Sequence, residues 1–125
     1  MPCKINYETD GLYAKFTGVI TPVDFVTLAN ALHSPVSSHS RYRIADFLEV
    51  TEVRVNEVHV AYLNDLDFWF ELSQPDLLRV VVAKLPSIVE AFNRELMLRA
   101  RPEDSALFST LEEARRWVHV RTSDR

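Results

Sequence analysis

A chain of 125 residues with 47% hydrophobic and 26% charged side chains has the make-up of one soluble globular domain, residues 1–125, with material for a single core. A net charge of −4 disfavours nucleic acid and anionic membranes as partners, and no apolar run is long enough to span a bilayer. The lone cysteine, Cys3, excludes an intrachain disulfide, and with no stretch resembling a signal peptide the expected location is the cytoplasm.

Lys4 to Glu8 and Leu12 to Phe16 alternate in polarity around Asp10-Gly11, which predicts an N-terminal antiparallel hairpin with Gly11 at positive φ. Gly18 follows in a turn or a close backbone approach. Thr21-Pro22-Val23-Asp24 is a helix start: Thr21 caps, Pro22 needs no amide partner and Asp24 suits the positive helix end. Phe25, Leu28, Ala29 and Leu32 then recur at helical spacing until Ser34-Pro35, and 36–40 form a loop.

Tyr42 to Leu48 is the central strand, its buried part ending at Asp46, with a polar loop beyond it. Asn56 caps a helix through about Leu72, with Val58, Tyr62, Leu66 and Trp69 on one stripe. Leu77 to Ala83 holds the β-branched run Val80-Val81-Val82 of a strand buried on both faces. Pro86 opens a third helix with Ile88, Phe92 and Leu96 on one face and Arg99 and Arg101 near its carboxyl end. Pro102-Glu103-Asp104 turns the chain into a short strand, Ala106 to Phe108. Ser109-Thr110-Leu111-Glu112 reads as a capping box for a final helix packed through Leu111, Ala114 and Val118 or Trp117, and 122–125 fray. The order β-β-α-β-α-β-α-β-α implies an α/β protein with right-handed crossovers: a mostly parallel sheet of about five strands, an N-terminal hairpin and four helices.

Candidate site residues gather beyond the central strand, since ligands of open α/β sheets collect at the carboxyl ends of strands. Asp46 accepts hydrogen bonds there, from a ligand or partner or, as the commoner case, from the amides that follow it. Thr51 is the only hydroxyl between Asp46 and Asn56, available as a phosphoacceptor or, more ordinarily, for a backbone bond. Arg54 offers planar donors for a carboxylate or phosphate, or is simply solvated. With Glu52 and Asn56 these residues make the loop from Phe47 to Asn56 the expected recognition site for a partner or ligand. Phe68-Trp69-Phe70 spreads its rings over about 200° of helix surface, which puts Phe68 on a flank and predicts a homodimer contact. His59 reads as a packed histidine. His33, His39 and His119 share no ligand spacing, and Asp65 and Asp67 diverge on a helix, so no metal, cofactor or catalytic group is expected.

The joint order of Phe16-Thr17-Gly18-Val19-Ile20-Thr21, Ile44-Ala45-Asp46 with Val50-Thr51, and Phe108 through Trp117 resembles the STAS domain, in particular its stand-alone SpoIIAA-like branch. The resemblance covers nearly the whole chain. It implies a bacterial, non-catalytic regulatory module that binds a protein partner. It also leaves open a carrier of a small apolar or anionic, lipid-like ligand, because some lipid-carrier domains are similar in outline. The sigma-regulating members carry a phosphorylated serine in an Asp-Ser pair at the start of the helix after the central strand; that register places Arg54-Val55 here, and valine has no hydroxyl.

Overall fold

The computed structural model describes residues 3–33, 40–56, 76–97 and 102–123. Five strands, β1 (Cys3–Tyr7), β2 (Gly11–Ile20), β3 (Tyr42–Val53), β4 (Leu78–Val82) and β5 (Ser105–Phe108), form one sheet in the order β1-β2-β3-β4-β5. The β1–β2 pair is antiparallel and every other pair is parallel, as the hairpin and the strand-helix alternation predict. Among the described residues there are three α-helices, α1 (Pro22–His33), α2 (Pro86–Leu96) and α3 (Leu111–Ser123), none long and apolar enough to cross a membrane. The expected helix from Asn56 to Leu72, with its stripe and with His59, Asp65, Asp67 and Phe68, lies outside the described residues beyond Asn56, as do His39, Arg99 and Arg101.

Alternation in the strands divides the core in two. Leu12, Ala14, Phe16, Ala45, Phe47 and Leu77 meet Leu28 and Ala31 of α1 and Ile88 of α2. Tyr13, Ile44, Val80 and Val82 meet Ala114 and Val118 of α3 on the other side. Phe16 and Phe47 stack with centroids 4.6 Å apart and planes 12° apart, and Phe25 completes the ring cluster. Val80, Val82, Ile44 and Phe16 are all fully buried, each side chain stabilising the fold by about 1.5–3 kcal/mol. Arg43 and Arg79, neighbours across β3 and β4, are buried as well, which their charge alone did not suggest.

Four local expectations change. Gly11 has no positive φ; it is needed because the Tyr42 ring lies where a Cβ would stand. Gly18 is neither a turn nor a close approach: it lies inside β2 at φ 69°, with open space around it. The capping box of α3 sits one residue later than expected, since the Glu113 amide donates to Thr110 Oγ1 at 3.2 Å and that hydroxyl donates to Glu113 Oε1 at 2.8 Å. At the start of α1 Asp24 rather than Thr21 supplies the side-chain acceptor: its Oδ2 takes the Thr21 amide at 2.8 Å, while the Asp24 amide donates to the Thr21 carbonyl at 3.0 Å. The packing expected of α3 is found: Ala114 and Val118 enter the core and Leu111 and Trp117 pack against it, Trp117 half-buried on Phe108 with Arg121 over its ring.

Candidate functional site

The loop expected after Asp46 is strand. β3 continues to Val53, paired with Thr17–Ile20 of β2, because two bulges let it stay in register. Lys15 faces Asp46 and Thr17 faces Glu49, so three steps on β3 match two on β2; Gly18 faces Val50 and Val19 faces Glu52, so Thr51 is a second inserted residue. Alternation therefore gives way to a three-residue repeat. Phe47 and Val50 enter the core and Val53 packs against it. Leu48, Glu49, Thr51 and Glu52 between them are exposed, Leu48 to 38% despite its apolar side chain, and so are Arg54 and Asn56 just past the strand. The last β3–β4 pair is Asp46 with Val82, so this stretch reaches beyond the β3–β4 ladder.

Of the expected site residues, Thr51, Glu52, Arg54 and Asn56 thus come together on one exposed strip. Arg54 Nη2 lies 3.1 Å from Glu52 Oε2, and the Arg54 amide donates to the Ile20 carbonyl at 2.7 Å, tying the strip's end to β2. Asp46 does not join them. It is 4% exposed; its Oδ1 accepts the Leu48 amide at 3.0 Å and its Oδ2 accepts the Tyr13 hydroxyl at 2.5 Å. Its bonds are internal, as the structural reading of a buried carboxylate requires. Burial, and then the bond to Asp46, push the Tyr13 phenol well above its ordinary range.

Leu48 and Glu49, inside the expected stretch but not singled out in it, belong to the strip, and so does Lys15, which the sequence did not point to. Lys15 pairs with Glu49 across the first bulge, and Glu49 raises the Lys15 pKa through that bond. The spacing Phe47, Val50, Val53 is the sequence signal that marks this surface. A second unanticipated cluster lies beside Tyr13. Arg115 of α3 grips both oxygens of Glu8 at 2.6 and 2.8 Å, and Tyr42 donates to Glu8 Oε1 at 2.5 Å. Arg115 also stands 5.1 Å over the centroid of the Tyr13 ring. The bond from Arg115 holds the Glu8 carboxyl below its ordinary range, and burial followed by Glu8 pushes Tyr42 up to about 12.

Strand order follows chain order, with α1 and α2 on one face and α3 on the other, and most of the connection from β3 to β4 lies outside the described residues. The candidate site is the bulged strip itself.

A five-stranded, mostly parallel sheet led by a hairpin, with α1 and α2 on one face and α3 on the other, is the STAS-like, SpoIIAA-like fold. The chain is similar to the structure of the anti-sigma factor antagonist SpoIIAA in its unphosphorylated form, with a TM-score of 0.62 and 11% identity over 94% of this chain and 97% of that one. It is also similar to the crystal structure of an uncharacterized protein of the DUF3478 family with a SpoIIAA-like fold, from Shewanella loihica PV-4, with a TM-score of 0.58 and 16% identity over 93% and 91% of the two chains. At such identities the likeness is one of fold. No family model and no curated protein matches the sequence.

Proposed function

We propose that this chain is a non-catalytic regulatory module that binds a protein partner through the bulged strip at the end of β3. The observation that carries the reading is the departure from alternation after Asp46, which turns Leu48, Glu49, Thr51 and Glu52 outward while Phe47 and Val50 stay in the core. Bulges in sheets commonly re-aim side chains at functional sites. With Arg54 and Asn56 the strip offers hydrogen-bond donors, acceptors and one exposed apolar side chain. Asp46 serves it from beneath by accepting the Leu48 amide. The SpoIIAA-like fold supports a regulatory role of this kind, since one similar structure is an anti-sigma factor antagonist.

Recognition on this reading needs no phosphoserine, because Val55 stands where the serine of the sigma-regulating members falls in the register with Arg54. A photo-crosslinking residue introduced at Thr51 and, separately, at the exposed Asn93 of α2 tests the proposal in the source cell. The Thr51 probe should trap a discrete protein adduct that the Asn93 probe does not. Equal or absent trapping from Thr51 removes the strip as the interface.

A further inference from the structure

The strip starts at a bulge held by one carboxylate. Asp46 is the last β3 residue aligned with both neighbouring strands, Lys15 of β2 and Val82 of β4. Its Oδ1 takes the amide of Leu48, which lies in the span where three steps of β3 match two of β2. An aspartate that accepts the amide two residues on fixes a local turn of backbone, here the bulge. The other oxygen is taken by the Tyr13 hydroxyl, so the tyrosine fixes the carboxylate's rotamer. Tyr13 is itself buried, and its ring lies under the Arg115 guanidinium, which Glu8 holds at two points. A continuous run of contacts therefore leads from α3, through a ring on β2, to the bulge that turns Leu48 and Glu49 outward.

We propose that Tyr13 is the positioning residue of the strip: it holds Asp46 in the rotamer that bonds the Leu48 amide, and Arg115 over its ring makes that hold depend on the docking of α3. The role of the strip as an interaction surface is taken from the function proposed above. The consequence is regulatory. A ligand or partner that lifts Arg115 from the Tyr13 ring loosens the bulge, and binding at α3 and binding at the strip are then coupled in both directions.

Amide hydrogen exchange of the whole chain, followed by NMR at one pH, tests this without any partner. Tyr13→Phe keeps the ring and removes the hydroxyl. It should speed exchange at Leu48 by about tenfold and shift the Val50 and Glu52 resonances, while the Val80 and Val82 amides in the sheet stay protected. Arg115→Gln should speed Leu48 exchange as well. Arg41→Ala frees a different tether of α3, the bond from Arg41 Nη2 to the Thr122 carbonyl at 2.8 Å, and should leave Leu48 unchanged. Unchanged Leu48 exchange in Tyr13→Phe overturns the hold, and equal responses to Arg115→Gln and Arg41→Ala overturn the route through the ring. Should Tyr13→Phe lose its fold, the contrast between the two arginine variants still decides the route. A failed crosslink from Thr51 would remove the interaction reading and leave this one standing.

Discussion

Glu8 and Arg115 are 107 residues apart in the chain and meet through two parallel hydrogen bonds of 2.6 and 2.8 Å. The pair fastens the last helix to the first hairpin across the second core, and the Tyr42 hydroxyl shares the same carboxylate.

This pair has a pH signature. The Glu8 pKa is lowered from 4.5, chiefly by the bond from Arg115, so its contribution to stability is full above the unfolded value and is lost as the pH falls through the folded one. Because both side chains are part-exposed, the coupling in a double-mutant cycle with Glu8→Gln and Arg115→Gln should be about 1 kcal/mol at neutral pH. It should vanish at pH values below the carboxylate range. Urea unfolding of the four proteins at both pH values measures it, and coupling that persists in acid would place the interaction elsewhere.

Burial ranks two aromatic truncations. Phe16 is fully buried and stacked on Phe47, so Phe16→Ala should cost about 3–5 kcal/mol. Trp117 keeps part of its ring in solvent, and Trp117→Ala should cost about 1–3 kcal/mol. Urea midpoints at constant slope give both values; the reverse order would mean that α3 is anchored by its tryptophan rather than by Ala114 and Val118.

The two glycines should fail differently. Gly18→Ala strains a residue at φ 69° and should cost about 1–2 kcal/mol, with Gly18→Asn milder because asparagine tolerates that region. Gly11→Ala collides with the Tyr42 ring instead, so its cost should shrink in a Tyr42→Ala background, where the Gly18→Ala cost stays the same. Thermal melts of the single and double variants separate the two causes.

Capping register can be read from a pair of alanines. Thr110→Ala should cost about 1 kcal/mol through loss of the bond from the Glu113 amide, and Ser109→Ala should be near neutral. Equal costs would return the cap to Ser109.

Much of the fold is legible in local patterns because local physics sets them. Leu12, Ala14 and Phe16 alternate since they share the face that meets α1 and α2, and Val80-Val81-Val82 run together since both faces of β4 are covered. Thr21 with Asp24, and Pro86 at the head of α2, announce their helices because helix ends need acceptors or the absence of a donor. Thr51, Glu52, Arg54 and Asn56 were legible as an exposed polar set because strand grammar stops before them.

That same grammar hid the strand they belong to. Phe47, Val50 and Val53 recur every three residues, a spacing that reads as loop until β2 supplies the partner that absorbs two inserted residues. Asp46 lies on an apolar strand in sequence, but only the folded chain brings Tyr13 to its carboxylate, 33 residues away. Hydrophobic period and turn chemistry by themselves determined an α/β fold with a hairpin, parallel strands and the starts of its helices, since these signals sit within a few residues of one another. Which face each helix covers, where β3 ends and which side chains its bulges turn outward were decided by tertiary structure, because register and strand order are properties of pairs of segments and no single segment encodes them.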